Sequence, residues 1–161
     1  MPTYYSDTLG CKVNSYETSS LGARLNQLGY SMTPKANEAD VIIVNTCFVT
    51  NKAGQKSRQR ISSLRRDNDH AILLVMGCYA QRHPDVVASL GADIVLGTSN
   101  RGKAIEYIDS FRKKQEKIID VKPSLRQEEY EELGPTGYSE LTRAFLKIQD
   151  GCDAYCSYCY I

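Results

Sequence analysis

The sequence predicts an α/β fold built around a parallel sheet, and two observations carry that expectation. Over the first ~110 residues, short β-rich runs alternate with helical segments, the pattern of strands joined by helical crossovers. Two of those runs, "DVIIVN" and "HAILLVMG", are near-continuously apolar, as strands covered on both faces are.

The elements follow in order. "TYYSDTL" reads as the first strand. Asn14, with Glu17 three residues later, offers a capping-box-like helix start, and Leu21, Leu25 and Leu28 give that helix one apolar stripe. Gly29 suits its stop. "YSMT" is a short second strand and "DVIIVN" the third, followed by a basic helix from about Lys52 to Arg66. "HAILLVMG" is the fourth strand. A helix with Pro84 in its first turn and Gly91 at its end leads to "DIVLG", the fifth, and Ala104, Ile108 and Phe111 mark a closing helix. Five such strands in a flavodoxin-like wind take the order 2-1-3-4-5. Residues 1–114 therefore form the first domain. Residues 115–142, polar, acidic in the middle and broken by proline and glycine, read as a linker. From Arg143, "RAFLKIQDGC" alternates in strand fashion and opens a second unit, residues 143–161.

Composition narrows the function classes. The 161 residues carry 20 basic and 19 acidic side chains, so no whole-chain field points to a nucleic-acid partner. There is a local exception: no acidic residue occurs from Val41 to Arg66, while Lys52, Lys56, Arg58, Arg60, Arg65 and Arg66 accumulate. Such a helix face either meets phosphate or is simply solvated. The start, "MPTYYSDTLG", lacks the charged and apolar regions of a secretory signal, and no apolar run nears the ~20 residues of a membrane helix. The expectation is a cytoplasmic chain with no membrane partner and with reduced thiols, in which six cysteines serve as metal ligands or reactive groups.

The cysteines fall into two sets. Cys11, Cys47 and Cys78 follow strands one, three and four, beyond the carboxyl ends of parallel strands, where open α/β sheets place their ligands. In the expected strand order those three strands are neighbours, and a spacing of ~4.8 Å brings their end loops within about 10 Å. Three thiolates there can hold a metal or an iron–sulfur cluster; each alone reads equally as a small buried hydrophobe. Cys152, Cys156 and Cys159 form C-x3-C-x2-C, a spacing that lets one loop wrap several corners of a cube-shaped cluster. Three ligands leave one iron open, and open coordination marks chemistry. His70 and His83 lie far back in sequence and read as surface or turn residues, so neither completes a zinc knuckle.

With Tyr158 before its last cysteine, the triplet resembles the signature of radical S-adenosylmethionine (SAM) enzymes. "TLGCKVN", "NTCFVTNKAGQKSRQ", "GCYAQ" and "LKIQDGCDAYCSYC", in this order, resemble the methylthiotransferases over essentially the whole chain. "LGCKVN" and "NTCFVTNKAGQKSRQ" look like the branch acting on tRNA N6-threonylcarbamoyladenosine. The resemblance implies that Cys11, Cys47 and Cys78 bind an auxiliary 4Fe–4S cluster, that Cys152, Cys156 and Cys159 bind a second whose open iron chelates SAM, and that Tyr158 borders the SAM adenine. It implies a 2-methylthio group added to a modified adenosine beside the anticodon of tRNA, and an electron donor such as a flavodoxin or ferredoxin. No side-chain acid or base is assigned a catalytic role, since radical chemistry belongs to the cofactor. The family pattern continues through a barrel beyond the triplet, so this chain is expected to be a fragment, inactive alone. The rival readings are a methylthiotransferase acting on isopentenyladenosine or a ribosomal protein, and a non-enzymatic metal-binding α/β module.

Overall fold

Alternate side chains of two central strands decide the architecture. The computed structural model describes residues 1–123, 130–134, 146–152, 154, 156, 157 and 159. In it β3 (Val41–Thr46) and β4 (Ile72–Gly77) are buried at every position. β1 (Thr3–Thr8) and β5 (Ile94–Leu96) flank them, and β2 (Ser31–Met32) and β6 (Ile118–Asp120) form the edges of a sheet ordered β2-β1-β3-β4-β5-β6. Every pairing is parallel.

Because successive side chains point to opposite faces, each central strand feeds two cores. Val41 and Ile43 join Leu74, Met76, Ile94 and Leu96 on one face, covered by α1 (Lys12–Gln27) and α5 (Ala104–Lys114) through Leu21, Leu25, Ala104, Ile108 and Phe111. Ile42 and Val44 join Leu73, Val75 and Val95 on the other, covered by α2 (Asn51–Asp67), α3 (Cys78–Arg82) and α4 (Pro84–Ser89) through Ile61, Leu64, Tyr79, Ala80 and Val87. A short 3-10 turn, Arg101–Lys103, precedes α5.

The predicted α/β class and the order 2-1-3-4-5 are present, with one strand more than expected. β6 lies in the stretch read as linker; its three residues pair with β5 at Ile94↔Ile118, Val95↔Ile119 and Leu96↔Asp120. Tyr107 and Asn100 tie it down, donating to Asp120 Oδ2 at 2.6 and 2.9 Å. Too short to show a period, it carries no sequence signal of its own. Leu28 is not in the α1 stripe but 57% exposed, beyond the last helical turn, where Gly29 at φ +85° ends the helix. Where one helix was expected after β4 there are two, because the chain breaks at His83 before Pro84. Residues 146–149 form no strand, and residues 143–145 lie outside the described residues.

The basic helix is partly structural. Thr50 caps α2, its hydroxyl accepting from Ala53 N at 3.1 Å. Arg65 donates to the carbonyls of Gly91, Asp69 and Ala71 and pairs with Asp93 at 2.5 Å, knitting α2 to the loops around β4 and β5. Arg60 reaches back to Asp7 and the Tyr5 hydroxyl. Lys52, Lys56 and Arg66 stay exposed. No helix among the described residues is long and apolar enough to cross a membrane.

Leu74 sits fully buried at the middle of β4, so Leu74→Ala should cost about 2–5 kcal/mol through reduced burial and a residual cavity. Urea titration followed by circular dichroism measures this, and an unchanged midpoint would show that β4 is not the centre of the core.

Candidate metal centre

Strand register brings the first cysteine set together. Thr46 pairs with Gly77, so Cys47 and Cys78 leave adjacent strands at the same level. Thr8 pairs with Asn45, and Leu9 N continues that ladder by donating to Asn45 O at 2.8 Å, which delivers Cys11 to the same edge two residues later. Gly10 makes the turn possible. Its φ of +110° is a left-handed conformation, and a Cβ there would fall 2.6 Å from Cys47 Cβ and 2.9 Å from Cys47 Sγ. Gly77, at φ +99°, does the same before Cys78, where a Cβ would lie 2.6 Å from Thr46 O.

Asn14 stitches the loops. Its side-chain amide donates to Leu9 O at 2.8 Å and Thr46 O at 3.1 Å, and its Oδ1 accepts from the Cys11 thiol at 3.5 Å. Ser57, buried on α2, donates to Cys47 O at 2.9 Å and accepts from Cys47 N at 3.3 Å. Cys47 is buried, Cys78 half-buried and Cys11 exposed. The Cys78 thiol is pushed up to about 11, by burial first and then by Cys47, Cys11 and Glu17, with Arg101 opposing. Cys47 and Cys11 thus add to the cost of an unneutralised thiolate at Cys78, which a bound cation would relieve.

That donor set tests the fit of the group the resemblance implies. Three soft sulfur donors share one edge, in a space kept open by the missing Gly10 side chain, and they suit iron. Among the described residues no three Cys, His, Asp or Glu side chains crowd closely enough for a single metal ion. A multi-iron cluster takes its thiolates at separate corners. An open cleft of about 330 Å³, lined by Thr8, Leu9, Gly10, Cys47, Thr50, Lys52, Ala53 and Lys56, leads to this edge.

The triplet lies elsewhere on the chain. Cys159 N donates to Cys156 O at 2.9 Å, and Ala154 N to Cys152 Sγ at 3.5 Å. All three cysteines are exposed. Tyr158 lies outside the described residues. His70 is 95% exposed, and His83 lies in the turn between α3 and α4, edge-on to Phe48 at 4.9 Å, as expected of surface or turn residues.

Between the two sets lies a buried polar layer whose members come from distant parts of the chain. Glu17, expected as a capping residue, is 2% exposed and makes no cap; the N-cap of α1 is Cys11, without a side-chain cap bond. The Glu17 carboxylate pairs with Arg101 and with Lys147 at 3.2 Å, and accepts from Asn45 Nδ2 at 3.1 Å. Arg101 also meets Glu131 and Asp150, each at 3.1 Å, and Lys147 pairs with Asp150. Burial works against the Arg101 charge, but Glu17, Asp150 and Glu131 outweigh it and hold its pKa above the ordinary value. Burial likewise opposes ionised Asp150, and Lys147 and Arg101 reverse that, holding its carboxyl below the usual range. The available signal was helical spacing: the stripe of Leu21 and Leu25, continued back by one and two turns, lands on Glu17 and Asn14.

The model of "Uncharacterized protein family UPF0004" matches residues 3–97, and the chain belongs to that family. Over its whole length it is 42% identical to a protein of Bacillus subtilis named threonylcarbamoyladenosine tRNA methylthiotransferase MtaB, of which it covers 36%. A protein of the same name from Aquifex aeolicus is 35% identical across 96% of this chain and 38% of its own length. A tRNA-2-methylthio-N(6)-dimethylallyladenosine synthase of Syntrophus aciditrophicus is 32% identical across 98% of this chain and 35% of its own. The expected likeness to methylthiotransferases is therefore borne out, and the chain spans little more than a third of the curated relatives it matches.

Gly10→Ala should cost about 1–3 kcal/mol in backbone strain alone, before its methyl displaces Cys47. Urea denaturation of the metal-free chain checks this, and an unshifted midpoint would mean that the turn accommodates a side chain.

Proposed function

We propose that the protein to which this chain belongs adds a 2-methylthio group to N6-threonylcarbamoyladenosine beside the anticodon of tRNA. Cys11, Cys47 and Cys78 hold one 4Fe–4S cluster. Cys152, Cys156 and Cys159 hold a second that binds SAM, with Tyr158 beside its adenine, and a donor such as a flavodoxin or ferredoxin provides electrons. The observation that carries the reading is the convergence of Cys11, Cys47 and Cys78 on one sheet edge, through the Thr46↔Gly77 register and the Gly10 turn. Identity of 42% to a threonylcarbamoyladenosine enzyme, against 32% to a dimethylallyladenosine synthase, supports the choice of substrate.

The target carries an unactivated aromatic C–H bond, beyond the reach of side-chain acids and bases; bound clusters and SAM would supply the one-electron chemistry. What the chain's own residues do is hold and shape. Asn14 and Ser57 fix the backbone on either side of Cys11 and Cys47. Gly10 keeps side-chain bulk away from Cys47 Sγ. Lys52 and Lys56 flank the cleft that leads there and contact RNA phosphate, while Arg60 and Arg65 serve the fold. A base in an anticodon loop is already accessible, so little unstacking energy is required.

Anaerobic reconstitution followed by iron and sulfide counting tests the cluster assignment. Replacing Cys11, Cys47 and Cys78 together by alanine should remove about half of the bound iron and leave the signal of the triplet cluster. Loss of all iron from that variant would mean one shared site and would overturn the two-cluster reading. For RNA, Lys52→Gln combined with Lys56→Gln should weaken binding of an anticodon stem-loop and lower the salt slope by roughly one for each phosphate no longer neutralised. An unchanged slope would take α2 off the RNA face.

A further inference from the structure

The arm that carries Cys152 is anchored by polar groups rather than by apolar packing. Leu146 and Ile148 are 83% and 82% exposed, while Lys147 between them is 7% exposed. The side chain that turns inward is the charged one, and it enters the layer formed by Glu17, Arg101, Glu131 and Asp150. Glu17 is the hub. One carboxylate oxygen takes Arg101 and Lys147, and the other accepts from Asn45, two residues before Cys47. Asp150, two residues before Cys152, closes the circuit onto both cations. Residues 130–134 are tied to both α1 and the arm. Ser20 donates to Leu133 O at 2.5 Å and Tyr16 to Gly134 O at 3.1 Å, while Tyr130 donates to Lys147 O at 2.6 Å. The Glu131 carboxylate is held by Arg101 Nε and Gly102 N.

We propose that Glu17, Arg101, Lys147 and Asp150 form a polar lock that fixes the Cys152 arm on the edge carrying Cys11, Cys47 and Cys78, with Glu17 the positioning residue common to both cysteine sets. Breaking a buried pair at one partner leaves a charge uncompensated, so each member holds the others in place. Leu146 and Ile148 face outward, so neither substitutes for the lock. The lock goes beyond the cluster assignment and holds whatever the cysteines bind.

Proteolysis of the metal-free chain by an enzyme that cleaves after lysine reads the lock directly, because the Lys147 side chain must leave its pocket to be cut. In the parent chain the bond after Lys147 should resist while exposed lysines are cleaved. Glu17→Gln should speed cleavage there at least about tenfold, with cleavage after other lysines and the midpoint of sheet unfolding little changed. Glu17→Asp, which keeps the charge, should give an intermediate rate. Lys35→Gln, which breaks the exposed Lys35–Glu38 pair, should remove its own cleavage site and leave the rate after Lys147 unchanged. If Glu17→Gln fails to fold, Asp150→Asn reads the same bond and leaves the Glu17–Arg101 pair intact. Cleavage after Lys147 in the parent chain as fast as at exposed lysines would overturn the proposal. So would a variant in which every lysine site opens in parallel, since Glu17 would then stabilise the whole fold rather than position the arm. The readout is independent of iron, so failure of the lock and failure of the cluster assignment are separate results.

Discussion

Parallel pairing of β3 with β1 on one side and β4 on the other is the constraint from which the rest follows. Both central strands are buried on both faces, so a slip of one residue would turn each apolar set toward the wrong helix layer. Register is therefore fixed by the cores, and register in turn fixes where the chain leaves the sheet. Cys47 and Cys78 are neighbours because Thr46 and Gly77 are partners, and those are partners because Val41 to Val44 and Ile72 to Val75 must divide their side chains between two cores. A packing requirement some way from the thiols sets their spacing.

The polar layer obeys a different logic. Three carboxylates and two cations packed together gain little net stability, because desolvation consumes much of the Coulombic attraction. What such a cluster supplies is selectivity of arrangement, since few alternative placements of Lys147 or Asp150 satisfy every charge. Asn45 illustrates the cost. Its amide is committed to Asn14 O and Glu17, and its Oδ1 is buried with no donor among the described residues. The same side chain that links the layer to the cysteine edge carries an unmet acceptor.

Much of this was legible in the sequence, for physical reasons that differ by element. β3 and β4 were readable because full burial leaves an unbroken apolar run, and α5 because Ala104, Ile108 and Phe111 repeat at helical spacing and are buried as that spacing requires. The cysteine edge was readable because parallel α/β sheets place ligands at one end. β6 was not, since three residues carry no period and its place comes from Asp120 and its partners. Glu17 and Asn14 were misread because a polar residue near a helix start is usually a cap, and only the partners from distant parts of the chain show otherwise. Arg101, Lys147 and Asp150 stand 84, 130 and 133 residues from Glu17 in sequence numbering, and no local pattern links them to it.

The outer strands have a consequence of their own. β2 is two residues long and β6 three, so the broad central sheet tapers to stubs at both margins. A longer exposed margin would offer a row of unpaired amides and carbonyls to any neighbouring chain. Here the template is too brief to recruit one. Self-association by strand addition, a standing hazard for sheets this rich in valine and isoleucine, is thereby blunted by brevity. Neither strand holds a proline, and Asp120, the charge that β6 carries, is engaged by Tyr107 and Asn100 rather than left to repel a newcomer.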